Sequence, residues 1–353
     1  MKIKFRVAAC AATLAALTVI GGSAATAAQP APVAPRWSVA TGKTNLYVSM
    51  GKPGTVVLGT SKTMEIRRTT NGSLVCSTAN YGQATLAPAV DAANNRIYVG
   101  TTNGYVLGFN ATNCDLNYVA SGPGGPALVA YGNGVVAASF PTVSRLYGYS
   151  ITLSFLWDYA FSVPGAHEPR FIANGTILLA NGKYIDAVRS IDGTSIWYRS
   201  LPFNLLGRAA APNDGRVYVS DTGNNVYAYN IATGVLVWSR NMGTTGQLIG
   251  SRGLGRLFVT GANGTLYSLN AATGATQCSR AVGGTFNSRA AVDSSSGSTW
   301  ATNKNGKTYK FTASCGIGWN YATGQYSMSG PAYQQGQNSV YAVGNGRLYS
   351  FAK

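Results

Sequence analysis

The chain has 353 residues, 46% of them hydrophobic and only 10% charged, with 44 glycines, 21 tyrosines and a formal net charge of +17. Apolar content this high excludes a disordered tail protein, and abundant Gly and Tyr with scarce Glu exclude a helical bundle in favour of many short strands joined by tight turns. The positive balance predicts attraction to polyanions, yet no long basic run marks a specific nucleic-acid tract.

At the N-terminus Lys2, Lys4 and Arg6 precede an apolar run from Val7 to Ile20, and Ala25-Thr26-Ala27 follows as an A-x-A site. This layout predicts a secretory signal peptide over residues 1–28, a mature chain beginning near Ala28 or Gln29, and a secreted protein, extracellular or held in the cell envelope. The run falls short of the roughly 20 residues that cross a bilayer, so no transmembrane span is expected. Cys10 stands before the apolar run, where a lipidated cysteine would follow it, and leaves with the signal. Loss of the three signal cations lowers the formal charge from +17 to +14. Residues 29–35 read as a Pro/Ala-rich linker, and 36–353 as one domain.

Within that domain a segment recurs, clearest in NGYVLGFNATNC (103–114), NNVYAYNIATGVLVW (224–238), NGTLYSLNAATGATQC (263–278) and NGKTYKFTASCGIGW (305–319). Each unit begins with a small-residue strand, continues through a β-branched and aromatic strand such as RVYVS (216–220), and turns at Asn-Gly. It then returns through an alternating strand and turns at Thr-Gly into a final strand carrying Trp. The second-strand anchors fall at Val57, Tyr98, Val136, Ile177, Tyr218, Phe258, Trp300 and Tyr341, separated by 38 to 42 residues. Four antiparallel strands per unit make one propeller blade, so the expected fold is an all-β, eight-bladed propeller. A seven-bladed ring with one irregular insertion is the alternative, because the first and fourth units match the pattern poorly.

About twenty residues after each anchor comes the last-strand position, held by Trp157, Trp197, Trp238 and Trp319 in four units and by Cys76, Tyr118 and Cys278 in three. For Tyr341 that position lies past the end of the chain, while Trp37 lies the same distance before Val57. Residues 36–40 are therefore expected to form the outer strand of the last blade and close the ring. The pattern Asn/Asp-x-x-Thr-Gly-x-x-x-Trp, best in 230–238, resembles the tryptophan-docking repeat of the PQQ-like (quinoprotein-like) β-propeller family, over essentially the whole mature chain. The resemblance implies that each Trp packs on the Thr-Gly turn of the following blade.

Four cysteines remain after signal removal, an even number that favours disulfides in an exported protein. Three pairings are possible. Cys76 and Cys278 stand where Trp is expected, and Cys114 and Cys315 at or beside the next Thr-Gly turn. If Trp docks there in the family, each Cys pair replaces one docking contact, which selects Cys76–Cys114 and Cys278–Cys315.

The resemblance also raises a quinone-dependent dehydrogenase, but its vicinal Cys-Cys ring, calcium-binding oxygens and catalytic Asp are missing. Asp186 and Asp192, the only close pair of aspartates, straddle a turn and a strand without forming a calcium loop. One His excludes a His-rich zinc centre, no G-x-S-x-G elbow occurs, and Gly42-Lys43-Thr44 and Gly306-Lys307-Thr308 lack the preceding Gly and the following helix of a phosphate loop. No cofactor, no metal site and no catalytic residue is assigned.

Propellers place ligands at the channel rim, just before each innermost strand. Those positions hold His167, Glu168 and Arg170 in one unit, Asn204 and Arg208 in the next, then Gln247, then Asn287 and Arg289, a polar and cationic set. His167 beside Glu168 would serve as a base, and Arg208 with Arg289 would clamp a carboxylate or sulfate. The expected function is a non-catalytic, monomeric binding or scaffold module for an acidic protein surface or acidic polysaccharide. The alternative is a uronate lyase or hydrolase using the rim; a PQQ-dependent dehydrogenase stands further off.

Overall fold

Strands that are buried on both faces should be apolar throughout, and those buried on one face should alternate. Both kinds recur around the ring in the computed structural model. It describes residues 30, 32–42, 47–161, 165, 168–172, 175–207, 209–251, 254–286, 288–324 and 330–353. The expected signal peptide with Cys10, its cleavage site, and Lys43-Thr44 lie outside these residues.

The second strands, such as Val135–Phe140 in blade 3 and Thr176–Asn181 in blade 4, are buried from end to end because a neighbouring blade covers each face. The outer strands, such as Leu116–Ser121 in blade 2, alternate between half-buried and exposed. All eight anchors lie in second strands, and the strands pair antiparallel, in sequence order in blades 1–7, giving eight blades. In blades 5 and 8 the innermost strand shrinks to single bridges, Ala210 with Tyr218 and Ala332 with Tyr341. Pro212 and Pro331 lie close to these bridges and supply no N–H to extend them.

The core is a ring of seams between adjacent blades. Leu178, Ile185 and Trp197 of blade 4 meet Val217, Val219 and Tyr229 of blade 5, and Val343 and Leu348 of blade 8 meet Val56 and Leu58 of blade 1. Each such side chain fully buried contributes about 1.5–3 kcal/mol. The ring closes as the terminal tryptophan implied: Trp37–Ala40 pairs antiparallel with Arg347–Ala352, Trp37 opposite Ser350. Arg347 Nη2 donates to Ser38 Oγ at 2.9 Å, and Thr41 Oγ1 to the Gly346 carbonyl at 2.8 Å. Upstream, Pro32 forms a parallel bridge with Asn320 on the outer strand of blade 7.

The seams are fastened by the docking residues. Trp157, Trp197 and Trp238 donate Nε1–H to the carbonyls of Ser190, Ile231 and Ala271 in the next blade, each at 3.0 Å. Gly193 and Gly234 are required twice over. Each has positive φ, and a Cβ there would come within 2.6 Å of the indole of Trp157 or Trp197. Trp37 makes the same contact across the closure, with Nε1 3.1 Å from the Thr69 carbonyl. In blades 1–7 a register shift in the third strand lies directly beside the partner of the docking residue, for example at Gly148/Tyr149 opposite Trp157 and at Ser268/Leu269 opposite Cys278. A bulge re-aims the side chain next to it, here across the seam.

The two disulfides, Cys76–Cys114 and Cys278–Cys315, occupy equivalent positions. Cys76 Sγ lies 3.7 Å from the Thr112 carbonyl and Cys278 Sγ 3.8 Å from that of Ala313, where a tryptophan would donate. At the seam between blades 2 and 3, Tyr118 stands in for Trp, and the Ile151 carbonyl accepts from Arg96 Nη1 at 2.6 Å and Tyr98 OH at 2.9 Å instead. Trp319 packs on Phe351, with ring centroids 5.0 Å apart.

Candidate functional site

Two surfaces carry chemistry beyond what the fold needs. The first is the outer wall of blades 3–5. Their outer strands, Phe155–Ala160, Ser195–Ser200 and Leu236–Asn241, aim one Trp each into a seam and the flanking residues at solvent. Those flanking residues are apolar: Phe155 and Leu156, then Ile196 and Tyr198 (64% exposed), then Leu236 and Val237. The adjoining turns add Ile191, 74% exposed, and Val235, 58% exposed. Ile191, Ile196 and Ile231 together line a groove of ≈ 580 Å³ with Asn133, Thr176 and Arg189. In blade 6 the corresponding strand, Thr276–Ala281, presents Thr276, Gln277 and Ser279 outward.

Cations edge this wall. Arg145 pairs with Asp158, and Arg189 with Asp192 at 3.3 Å. Hydrogen bonds from the Thr194 backbone and side chain, with the Arg189 charge, hold the Asp192 carboxyl below the usual carboxylate range. Arg199 Nε donates to the Gly234 carbonyl at 2.6 Å, and Arg240 Nη1 to that of Gly274 at 2.8 Å, so both guanidiniums also brace the next blade's turn. The expectations drawn from the sequence centred on the channel rim and did not include this surface. The signal was there in FLWDY, SIWYR and LVWSR, where strand alternation sends the neighbours of an inward Trp outward.

The second surface is the channel. Of the rim residues expected from the repeat, His167, Arg208 and Asn287 lie outside the described residues. Glu168 and Arg170 come together, lining a cavity of ≈ 350 Å³ whose other walls come from the innermost strands of blades 1–3, including Val48, Val90, Val129 and Tyr131. Gln247 lines a separate cavity of ≈ 240 Å³ with Leu206, Phe286 and Lys304. Asn204 is exposed in the connection from blade 4 to blade 5, and Arg289 is half-buried ahead of the inner strand of blade 7; neither lines these two cavities. Burial and then the nearby Asp91 push the Tyr131 phenol up to about 12, so it stays protonated.

Elsewhere, burial raises the Asp186 carboxyl in the seam between blades 3 and 4, against the Tyr159 hydroxyl that donates to it at 2.9 Å. Asp192 is exposed in the following turn, so the two aspartates do not converge. Among the described residues, no group of three His, Cys, Asp or Glu could hold a metal ion, and no helix is long and apolar enough to cross a membrane.

Comparison with known proteins agrees with this architecture. A PQQ-type family pattern described as outer membrane protein assembly factor BamB matches residues 181–352. Among solved structures, BamB from Moraxella catarrhalis superposes with a TM-score of 0.75 at 14% identity, covering 92% of this chain and 99% of that one. Sqt1 from Saccharomyces cerevisiae gives 0.77 at 12% identity, covering 92% and 100%. The computationally designed protein Ika8 gives 0.76 at 12% identity, covering 89% and 98%. At these identities the likeness is one of fold. No curated protein matches the sequence.

Proposed function

We propose that this chain, a PQQ-like β-propeller built of tryptophan-docking repeats, is an exported, non-catalytic scaffold that binds a protein partner through the outer wall of blades 3–5. One observation carries the reading: eight exposed apolar side chains lie on three consecutive outer strands and their turns, while the matching strand of blade 6 is polar. Large apolar side chains gathered on a surface rather than scattered mark an interaction site. Tyr198, Phe155 and the isoleucines are the kind of anchors that fill a partner's pockets. The surrounding positive field favours a partner whose apolar ridge is flanked by acidic residues. The family pattern's description as an assembly factor and the two disulfides support a scaffold working outside the cytoplasm.

The test is site-directed photo-crosslinking of the protein in envelope fractions of its own source, with the probe at Tyr198 or, as control, at Gln277. A discrete crosslinked protein is expected from Tyr198 only, and it should vanish in the double variant Ile191→Glu, Ile196→Glu. Equal crosslinking from both positions, or none from Tyr198, overturns the assignment.

A further inference from the structure

Most residues lining the channel cavity carry small or apolar side chains, and Arg170, the first residue of the Arg170–Ile172 strand, breaks that pattern. Its Nε is buried and has no hydrogen-bond partner. No ion pair joins its guanidinium to a described acid, and burial alone draws its pKa below the usual arginine value. Glu168 lines the same cavity but has a partner of its own. An arginine stays protonated at physiological pH, so taking its Nε–H out of water without an acceptor in return is costly. Arg199, Arg240 and Arg347, by contrast, each donate to carbonyl or hydroxyl oxygens. Nothing about the seams requires a cation at position 170, since the neighbouring inner strands, such as Leu128–Gly132, hold their places with uncharged residues.

We propose that the channel cavity at Arg170 binds a small organic monocarboxylate. The planar guanidinium fork matches a carboxylate through two parallel hydrogen bonds. A single cation with Glu168 in the same space suits one negative charge and disfavours phosphate dianions or polyanions. Val90, Val129 and Phe171 offer apolar wall for a short hydrocarbon or aromatic body, and the cavity, ≈ 350 Å³, lies within the range of small-molecule sites. The Tyr131 ring forms part of the same wall. This site is separate from the outer wall of blades 3–5 and stands or falls independently of it.

The mature protein is titrated by calorimetry with butyrate and benzoate, each against its neutral amide, butyramide and benzamide, and with inorganic phosphate. In parallel the ¹⁵Nε resonance of Arg170 is followed. Both carboxylates should bind at least tenfold more tightly than their amides or phosphate and should move the Arg170 resonance. Arg170→Gln should weaken them at least tenfold, whereas Arg145→Gln on the outer wall should not. Amides or phosphate that bind as well as the acids, affinity unchanged in Arg170→Gln, or no binding at all would overturn the proposal. If Arg170→Gln does not fold, the unsubstituted protein decides, and a resonance indifferent to benzoate counts against the site.

Discussion

The seams leading out of blades 3–5 and those leading out of blades 1 and 6 solve one mechanical problem in two ways. Where blade 3 meets 4, 4 meets 5 and 5 meets 6, an indole donates to a turn carbonyl and covers a glycine. Where blade 1 meets 2 and 6 meets 7, a disulfide crosses at the same position. The indole acts in the folded state, through buried area and one hydrogen bond, whereas the disulfide acts largely by restricting the unfolded chain. The sectors also differ outside. The outer strands of the Trp-docked blades 3–5 carry exposed apolar side chains, while the disulfide-fastened strand of blade 6 is polar. A sector whose outer strands are fixed from within by a large aromatic residue can offer its remaining side chains to a partner.

The largest effect should come from removing a fastening that is also a strand. A truncated form beginning at Lys43 lacks Trp37–Ala40, which leaves the edge of blade 8 and the flank of blade 1 bare, and its melting temperature should fall further than that of any single variant below. An unchanged melting temperature would mean that the closing strand is dispensable.

Next come the two fastenings themselves. Trp197→Ala should cost about 3–5 kcal/mol in urea unfolding with the denaturant slope unchanged, because the loss is a native-state cavity. Replacing Cys278 and Cys315 by Ser should cost about 3–4 kcal/mol in the chain-entropy model and steepen the slope, because the unfolded chain expands. Equal slopes in the two variants would erase the mechanistic contrast. Peptide mapping without reduction should recover the 76–114 and 278–315 linkages.

The outer wall should behave in the opposite way. Ile191→Glu with Ile196→Glu should change stability by less than about 1 kcal/mol, since both side chains are exposed, while abolishing partner crosslinking from position 198. A large loss of stability would make these residues part of the core instead.

The smallest effect concerns pH at the closure. Lys353 Nζ lies 2.6 Å from Asp293, tying the last strand of blade 8 to blade 7. Burial by itself would raise the Asp293 carboxyl, but hydrogen bonds from Lys353, Ser296 and Ser295 outweigh it and hold the group well below the usual carboxylate range. A carboxyl depressed on folding stabilises the fold above its unfolded pKa of about 4, and that contribution is lost as pH falls further, through the folded value. Asp293→Asn should therefore be less stable at neutral pH and lose less between pH 5 and pH 2. Parallel pH profiles for the two proteins would remove Asp293 from the closure.

Much of this molecule is legible in its sequence because the relevant forces are local and repeated. Buried second strands need apolar residues at a fixed period, so the eight anchors could be counted. The docking position needs Trp or its replacement at a fixed offset, so the terminal Trp37 revealed the closing strand, and the docking contact that the family resemblance implies revealed the pairing of the cysteines. The rim was located less well, because residues aligned on a repeat need not share a cavity once their connections differ in length. Glu168 and Arg170 meet, while Gln247 lines a different hollow.

Periodicity, composition and turn chemistry pointed to eight blades, their strand order and the ring closure, and the family resemblance added the disulfide pairing. Each depends on contacts between a residue and a partner about one repeat away, or on a strand sought by an open edge. Only the tertiary structure decided which flanking residues of FLWDY, SIWYR and LVWSR gather into one apolar wall, and that Arg170 lines a cavity with its Nε unpaired. Those properties arise from groups brought together across several blades and from a partner that is absent, and no spacing along the chain encodes the absence of a neighbour in space.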